Sequence, residues 1–228
     1  MTRRALAMIA ALCIAAPLAP PVVAAEPAAA SWDGLTRVQS RRMAEVDLLP
    51  GADFRGYTKV MLDPTEVAFR RNWQRDHNAS ALSGRITDAD AQRILDAART
   101  GFEEIFRTAY EQAGYQVVTE PGPDVLRMRT AVANLHVSAP DVRTAGRTRV
   151  FSRDAGSATV VIEARDSLSG ALLGRAVDTR TAGDARPFLR NSVTNRADFR
   201  SLFQTWARTS VEGLAELKAM SPIPEPAS

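Results

Sequence analysis

The chain is poor in the residues that most often carry chemistry. Among its 228 residues are one cysteine, Cys13, and two histidines, His77 and His136. Cys13 lies in an apolar run near the N-terminus, so the rest of the chain has no disulfide or thiolate chemistry open to it. A zinc site draws on three or four ligands with supporting groups. Two histidines far apart in sequence do not supply such a set, and no metal is expected. Asp76 and His77 are adjacent in "RDHNAS", but neighbours in sequence need not face one site. There is no G-x-S-x-G elbow, no Walker sequence and no G-x-G-x-x-G, so no cofactor and no catalytic residue is assigned. Lysine occurs only at 59 and 218. The net charge of +3, less the two charges of Arg3 and Arg4, leaves +1. Nucleic-acid binding wants a concentrated basic excess and is not expected.

Long apolar runs are also scarce. The longest, residues 5–19, follows Arg3 and Arg4 and is ended by Pro17, Pro20 and Pro21. It falls short of the ~20 residues that a spanning helix needs. A charged start, an apolar run and the small-residue site "VVAAE" predict an export signal over 1–25, cleaved after Ala25. Leu12 stands where a lipoprotein signal has a small residue, so Cys13 reads as part of the apolar run. The organisation expected is a signal peptide at 1–25, an N-terminal extension at 26–45, one domain at 46–220 and a disordered tail at 221–228. The mature chain is expected in the periplasm or secreted, with no transmembrane segment.

What is present is a set of amphipathic elements. Residues 57–62 alternate as a strand does, and Asp63-Pro64 ends the ladder because proline has no N–H to donate. Val67, Phe69 and Trp73 are expected to pack the connection that follows. A helix is predicted over 88–113, with Thr87 as cap, Asp90 completing a capping box, and apolar residues at helical period from Ala91 to Ala113. "YQVVT" reads as a strand. In the strand region 125–138 the apolar parity shifts after Val132, as at a β-bulge. Residues 157–180 read as a hairpin with Val160, Ile162, Ala164, Leu172, Gly174 and Ala176 on one apolar face, and with Glu163 and Arg175 as diagonal neighbours on the other. A last helix is predicted over 197–219, capped by Asn195. These elements imply an α+β two-layer sandwich: a mainly antiparallel sheet of about five strands with two long helices packed on one face.

The loops flanking the hairpin are rich in arginine. Arg143, Arg147, Arg149 and Arg153 lie on one, and Arg186, Arg190 and Arg196 on the other. Converging guanidinium groups hold carboxylates or phosphates through paired hydrogen bonds, which makes Arg143, Arg147, Arg149, Arg153, Arg186 and Arg190 the candidate anion- or partner-binding residues. Asp141, Asp154, Asp184 and Asp198 lie close enough in sequence to balance them.

Three segments together resemble a bacterial family, domain of unknown function 3313. They are "WDGLTRVQSRRMAEVDLLPGADFRGYTKVMLDPTEVAF", "GYQVVTEPGPDVLRMRTAVANLHV" and "ARDSLSGALLGRAVDTR". The resemblance implies an exported envelope protein and transfers no catalytic residues. The function expected is that of a non-enzymatic binding or accessory protein whose partner is another envelope protein or an envelope polymer. The alternative is a periplasmic hydrolase with a site not visible in the sequence.

Overall fold

The computed structural model describes residues 34–80, 85–138, 150–152, 155–183, 188–190 and 192–225. In chain order the elements are β1 (Thr36–Val38), β2 (Glu45–Leu48), β3 (Lys59–Leu62), β4 (Glu66–Phe69), α1 (Trp73–Ser80), α2 (Asp88–Gln112), β5 (Gln116–Val118), β6 (Val125–Val137), β7 (Val150–Ser152), β8 (Gly156–Asp166), β9 (Leu172–Ala182), β10 (Phe188–Arg190) and α3 (Ser192–Met220). One sheet of eight strands runs β1-β2-β9-β8-β6-β3-β5, with β4 also paired to β6. A separate ribbon joins β7 to β10.

The class is α+β, with both long helices in one buried core with the sheet. The sheet differs from the antiparallel one of about five strands expected from sequence. β3 lies parallel to both β5 and β6, and β4 lies parallel to β6, so the sheet is mixed. Strands of three or four residues carry too few alternations to announce themselves, which is why β1, β2 and β4 escape a periodicity reading.

The Asp63-Pro64 break is an interruption and not an exit. Asp63 N still donates to Met128 O at 3.0 Å. Pro64 then skips a bond, and β4 rejoins the same strand with Glu66 opposite Ala131. Phe69 stacks on Trp73 at 3.9 Å between ring centroids, and Trp73 Nε1 donates to Val137 O at 3.1 Å. The connection is thus pinned along β6.

The bulge in β6 is where the parity shift places it. The register slips between Ala133 and His136, and Asn134 takes the left-handed conformation at φ 52, which asparagine tolerates better than most residues. Gly156 lies opposite Val137. A Cβ there would lie 1.8 Å from His136 O, so glycine is required.

α2 carries the capping box: Thr87 Oγ1 accepts from Asp90 N, and the Asp90 carboxylate accepts from Thr87 N. Its Phe102 and Phe106 are buried and stack at 4.1 Å. Phe203 of α3 meets Phe102 edge-on at 5.3 Å. Trp206 is buried beside them, and its Nε1 donates to the buried Asp178 of β9 at 2.8 Å. Val160 and Ile162 of β8 close the core from below. α3 begins at Ser192, so Asn195 is a buried residue inside the helix and not its cap.

The hairpin register also departs from expectation. A slip between Ala164 and Arg165 sets Arg165 opposite Leu172 and Glu163 directly opposite Arg175. Leu173, not Leu172, is the residue buried in the core. The packed chain runs wider than 46–220. Leu35 and Met43 are buried, and so are Ser221 and Ile223. Ile223 exchanges backbone hydrogen bonds with Gly51 at 2.9 Å and Ala52 at 2.8 Å, beyond the point where a Pro-rich composition predicts a loose tail.

Candidate functional site

Of the arginines singled out in sequence, Arg143, Arg147, Arg149, Arg153 and Arg186 lie outside the described residues, as do Asp141, Asp154 and Asp184. Arg190 ends β10, where its backbone faces Val150 of β7; Leu189 faces Phe151 and Phe188 faces Ser152. This ribbon ties the two arginine-bearing segments to each other through their backbones. Arg196 is exposed on α3.

The segments that carry the family resemblance meet at one end of the sheet. The Tyr57 hydroxyl donates to Asp166 Oδ2 at 2.9 Å. Ser169 donates its backbone N–H and its hydroxyl to Asp166 Oδ1, both at 2.7 Å. Ser167 Oγ accepts from Gly122 N and donates to Gly122 O. Asp124 accepts from the Thr58 hydroxyl at 2.7 Å, and Lys59 Nζ lies 3.2 Å from it. The start of β3, the turn before β6 and the β8–β9 turn are thereby fastened together. Burial, with the adjoining Asp166 carboxylate, pushes the Tyr57 hydroxyl up to about 12. The Ser169 donors hold Asp166 below the usual carboxylate range, and the Thr58 hydroxyl does the same for Asp124. Groups moved in these directions keep their protons fixed near neutral pH, whereas general acid–base work needs a pKa near the working pH. These hydrogen bonds fasten the three segments to one another.

The face of the sheet away from the helices carries a row of alternating charge. Arg37 faces Asp47, Asp47 faces Arg175, Arg175 faces Glu163 and Glu163 faces Arg129 in the strand registers. Arg37 Nε meets Asp47 at 2.6 Å. Glu163 takes Arg165 at 2.9 Å and Arg129 at 3.9 Å, and Arg129 also reaches Glu66 at 3.7 Å. Opposite charges directly across a ladder favour this register over slipped ones. The Arg175 Nε is buried and has no hydrogen-bond partner among the described residues.

Among the described residues, two large cavities border the long helices. One, of about 600 Å³, sits between α2 and α3 over the end of β6, lined by Ile94, Ile105, Leu135, Val137, Phe199 and Phe203. The other, of about 700 Å³, separates α3 from the sheet and is bordered by residues 38–43. Sequence reasoning reads the small residues of the hairpin face as room for a closely packed helix. Ala164, Gly174 and Ala176 instead line this second cavity.

His77 sits on α1 and His136 on β6, neighbouring elements joined by the bond from Trp73 to Val137. Burial lowers the pKa of His77. Among the described residues no group of three or more His, Cys, Asp or Glu side chains is placed to share a metal ion. Among the same residues no helix is long and apolar enough to cross a membrane.

Among the solved structures similar to this chain are three of low identity. The PelC dodecamer from Paraburkholderia phytofirmans is 14% identical, with a TM-score of 0.36, covering 72% of this chain and 96% of that one. Protein XCC0632 from Xanthomonas campestris is 12% identical, with a TM-score of 0.44, covering 75% and 91%. A minor lipoprotein from Acinetobacter baumannii is 10% identical, with a TM-score of 0.32, covering 69% and 94%. No curated protein matches. The family described as "Protein of unknown function (DUF3313)" matches residues 25–210. That span takes in the fastened cluster, the charged row and the cavity between α2 and α3, and the chain belongs to this family.

Proposed function

We propose that this is an exported, non-enzymatic protein of the cell envelope that holds an anionic partner, another envelope protein or an envelope polymer, with its arginine-rich segments. The observation that carries the reading is the β7–β10 ribbon. It joins two segments that are distant in sequence and bear Arg143, Arg147, Arg149, Arg153, Arg186 and Arg190. Loops held by a rigid scaffold are the usual carriers of binding function. Export rests on the charged and apolar N-terminal segment, with cleavage after Ala25. A hydrolase would need an acid and a base poised near neutral pH, and the fastened cluster of Tyr57, Asp124 and Asp166 is set the other way.

The test is crosslinking in cells, with the captured partner identified and its yield compared between wild type and an Arg147→Ala, Arg149→Ala double variant at low and high salt. Loss of yield in the variant, and in wild type at high salt, is expected, because exposed charge pairs are screened. Equal yields in all four conditions remove the arginines from partner binding.

A further inference from the structure

Between α3 and the sheet lies a pocket that opens to solvent at residues 38–43. It holds about 700 Å³, within the ~300–1,000 Å³ of small-molecule sites. Its walls are apolar: Leu48, Leu126, Met128, Ile162, Leu214 and Leu217.

Gly213 shows that the space is kept open. It sits well inside α3, where glycine destabilises a helix relative to alanine. It has no left-handed φ, and a Cβ added to it would meet nothing within 4 Å. Neither backbone conformation nor a close neighbour asks for glycine. What it leaves is volume, and it lines this cavity.

The rim supplies a charge. Residues 38–43 border the opening, and the Arg42 guanidinium is occupied by Glu212 and by Glu216, the latter at 2.8 Å. Arg41, beside it, is exposed and has no ion pair among the described residues. Arg175 also borders the cavity but stands opposite Asp47 and Glu163 in the strand registers, so Arg41 is the rim charge left without a facing acid among the described residues. An apolar chamber with one unpaired guanidinium at its rim is complementary to a molecule with one anionic end and one apolar chain.

We infer that this cavity binds a single-chain anionic amphiphile, a long-chain fatty-acid carboxylate, with its chain among the leucines under α3 and its head at Arg41. This site is separate from the arginine-rich segments, and it stands or falls without them.

The experiment titrates the purified full chain with dansyl-undecanoate and displaces the probe with dodecanoate or with dodecanol. One saturable site is expected, with dodecanoate displacing the probe at least tenfold better than dodecanol. Arg41→Ala, an exposed change, should abolish that preference while the probe still binds. Gly213→Leu should fill the chamber and reduce binding more than tenfold, with circular dichroism confirming the fold. Where Gly213→Leu does not fold, Ala164→Leu blocks the opposite wall. Absence of saturable binding to wild type overturns the assignment. So does equal displacement by acid and alcohol, and so does unchanged binding in a folded, filled variant.

Discussion

The two faces of the sheet are made by the same strands, residue by residue, and are held by different physics. Along β8, Ala158, Val160 and Ile162 are buried under the helices, while Thr159, Val161 and Glu163 alternate with them toward the other side. On the helix side, full burial of a large apolar side chain contributes roughly 1.5–3 kcal/mol. On the open side, the half-exposed Arg37 and Arg129 pair with the buried Asp47 and the part-buried Glu163, and ion pairs that keep one partner in solvent contribute ~0–1 kcal/mol each. Burial decides that the sheet and helices assemble. The charged row decides little about whether they do, but it marks the register, because a slip of one residue would set these charges toward the core.

The sharpest way to break the comparison is to remove a ring from the covered face. Phe106 is buried, stacked on Phe102 and enclosed by the core shared with α3. Phe106→Ala should cost ~3–5 kcal/mol, the sum of lost transfer and a cavity that cannot collapse. Chemical denaturation measures it. A loss under about 1 kcal/mol, of the size of an ordinary surface change, would show that α2 does not present this face to the sheet.

Much of the covered face was legible in sequence, and the reasons are local. Thr87 and Asp90 announce the start of α2, and the apolar recurrence through Phe102 and Phe106 announces its face. The β6 bulge is legible because the shift from Val132 to Ala133 breaks a long alternation. What failed depends on partners remote in the chain. Nothing within residues 59–69 says that both halves of the segment pair with β6 in parallel. The slip at Ala164/Arg165, which exchanges Leu172 for Leu173, follows from how the β8–β9 turn closes. α3 starts earlier than expected because Asn195, a good capping residue by type, is used as a buried one. The motif residues Tyr57, Gly122, Asp124, Asp166 and Ser167 stand in the quoted family segments, but that they meet is a property of the folded sheet. The candidate arginines are a different case: their composition is plain in sequence, and all but Arg190 and Arg196 lie outside the described residues.

The fastened cluster stands between the two faces in magnitude. Tyr57→Phe removes one hydrogen bond from Asp166, which keeps the two Ser169 donors. The cost at neutral pH should be roughly 1 kcal/mol. The alkaline side sharpens the test. The Tyr57 hydroxyl is raised from 10.0 to about 12 in the fold, so the unfolded chain loses this proton first as pH rises. The tyrosine's contribution is therefore intact below pH 10 and is lost as pH climbs through about 12. Tyr110, also raised by burial, remains in both proteins, so the difference between their stability–pH curves reports Tyr57. Wild type should lose its advantage over Tyr57→Phe across that window. Parallel curves would show that the hydroxyl is solvated and the turn is held by Ser167 and Asp124 alone.

The smallest effect should come from the open face. Glu163 is the acid best placed in the row: Arg165 reaches it with two nitrogens, at 2.9 and 3.0 Å, and Arg129 lies at 3.9 Å. Glu163→Gln keeps the shape and one acceptor oxygen and removes the charge. The expected loss is ~0.2–1 kcal/mol, because solvent already screens these partners. It should shrink as salt is added, since screening weakens the wild-type pairs and leaves the neutral variant unchanged. Two results would overturn the contrast between the faces. A loss of several kcal/mol would mean that Glu163 is desolvated and holds the β6–β8 pair as a buried charge does. A loss indifferent to salt would mean that the glutamate acts through packing of its stem against Val161 and Arg165 and not through charge. Denaturation of both proteins at low and high salt decides among these, and a small, salt-sensitive loss leaves the open face as a solvated one whose charges specify register more than they stabilise it.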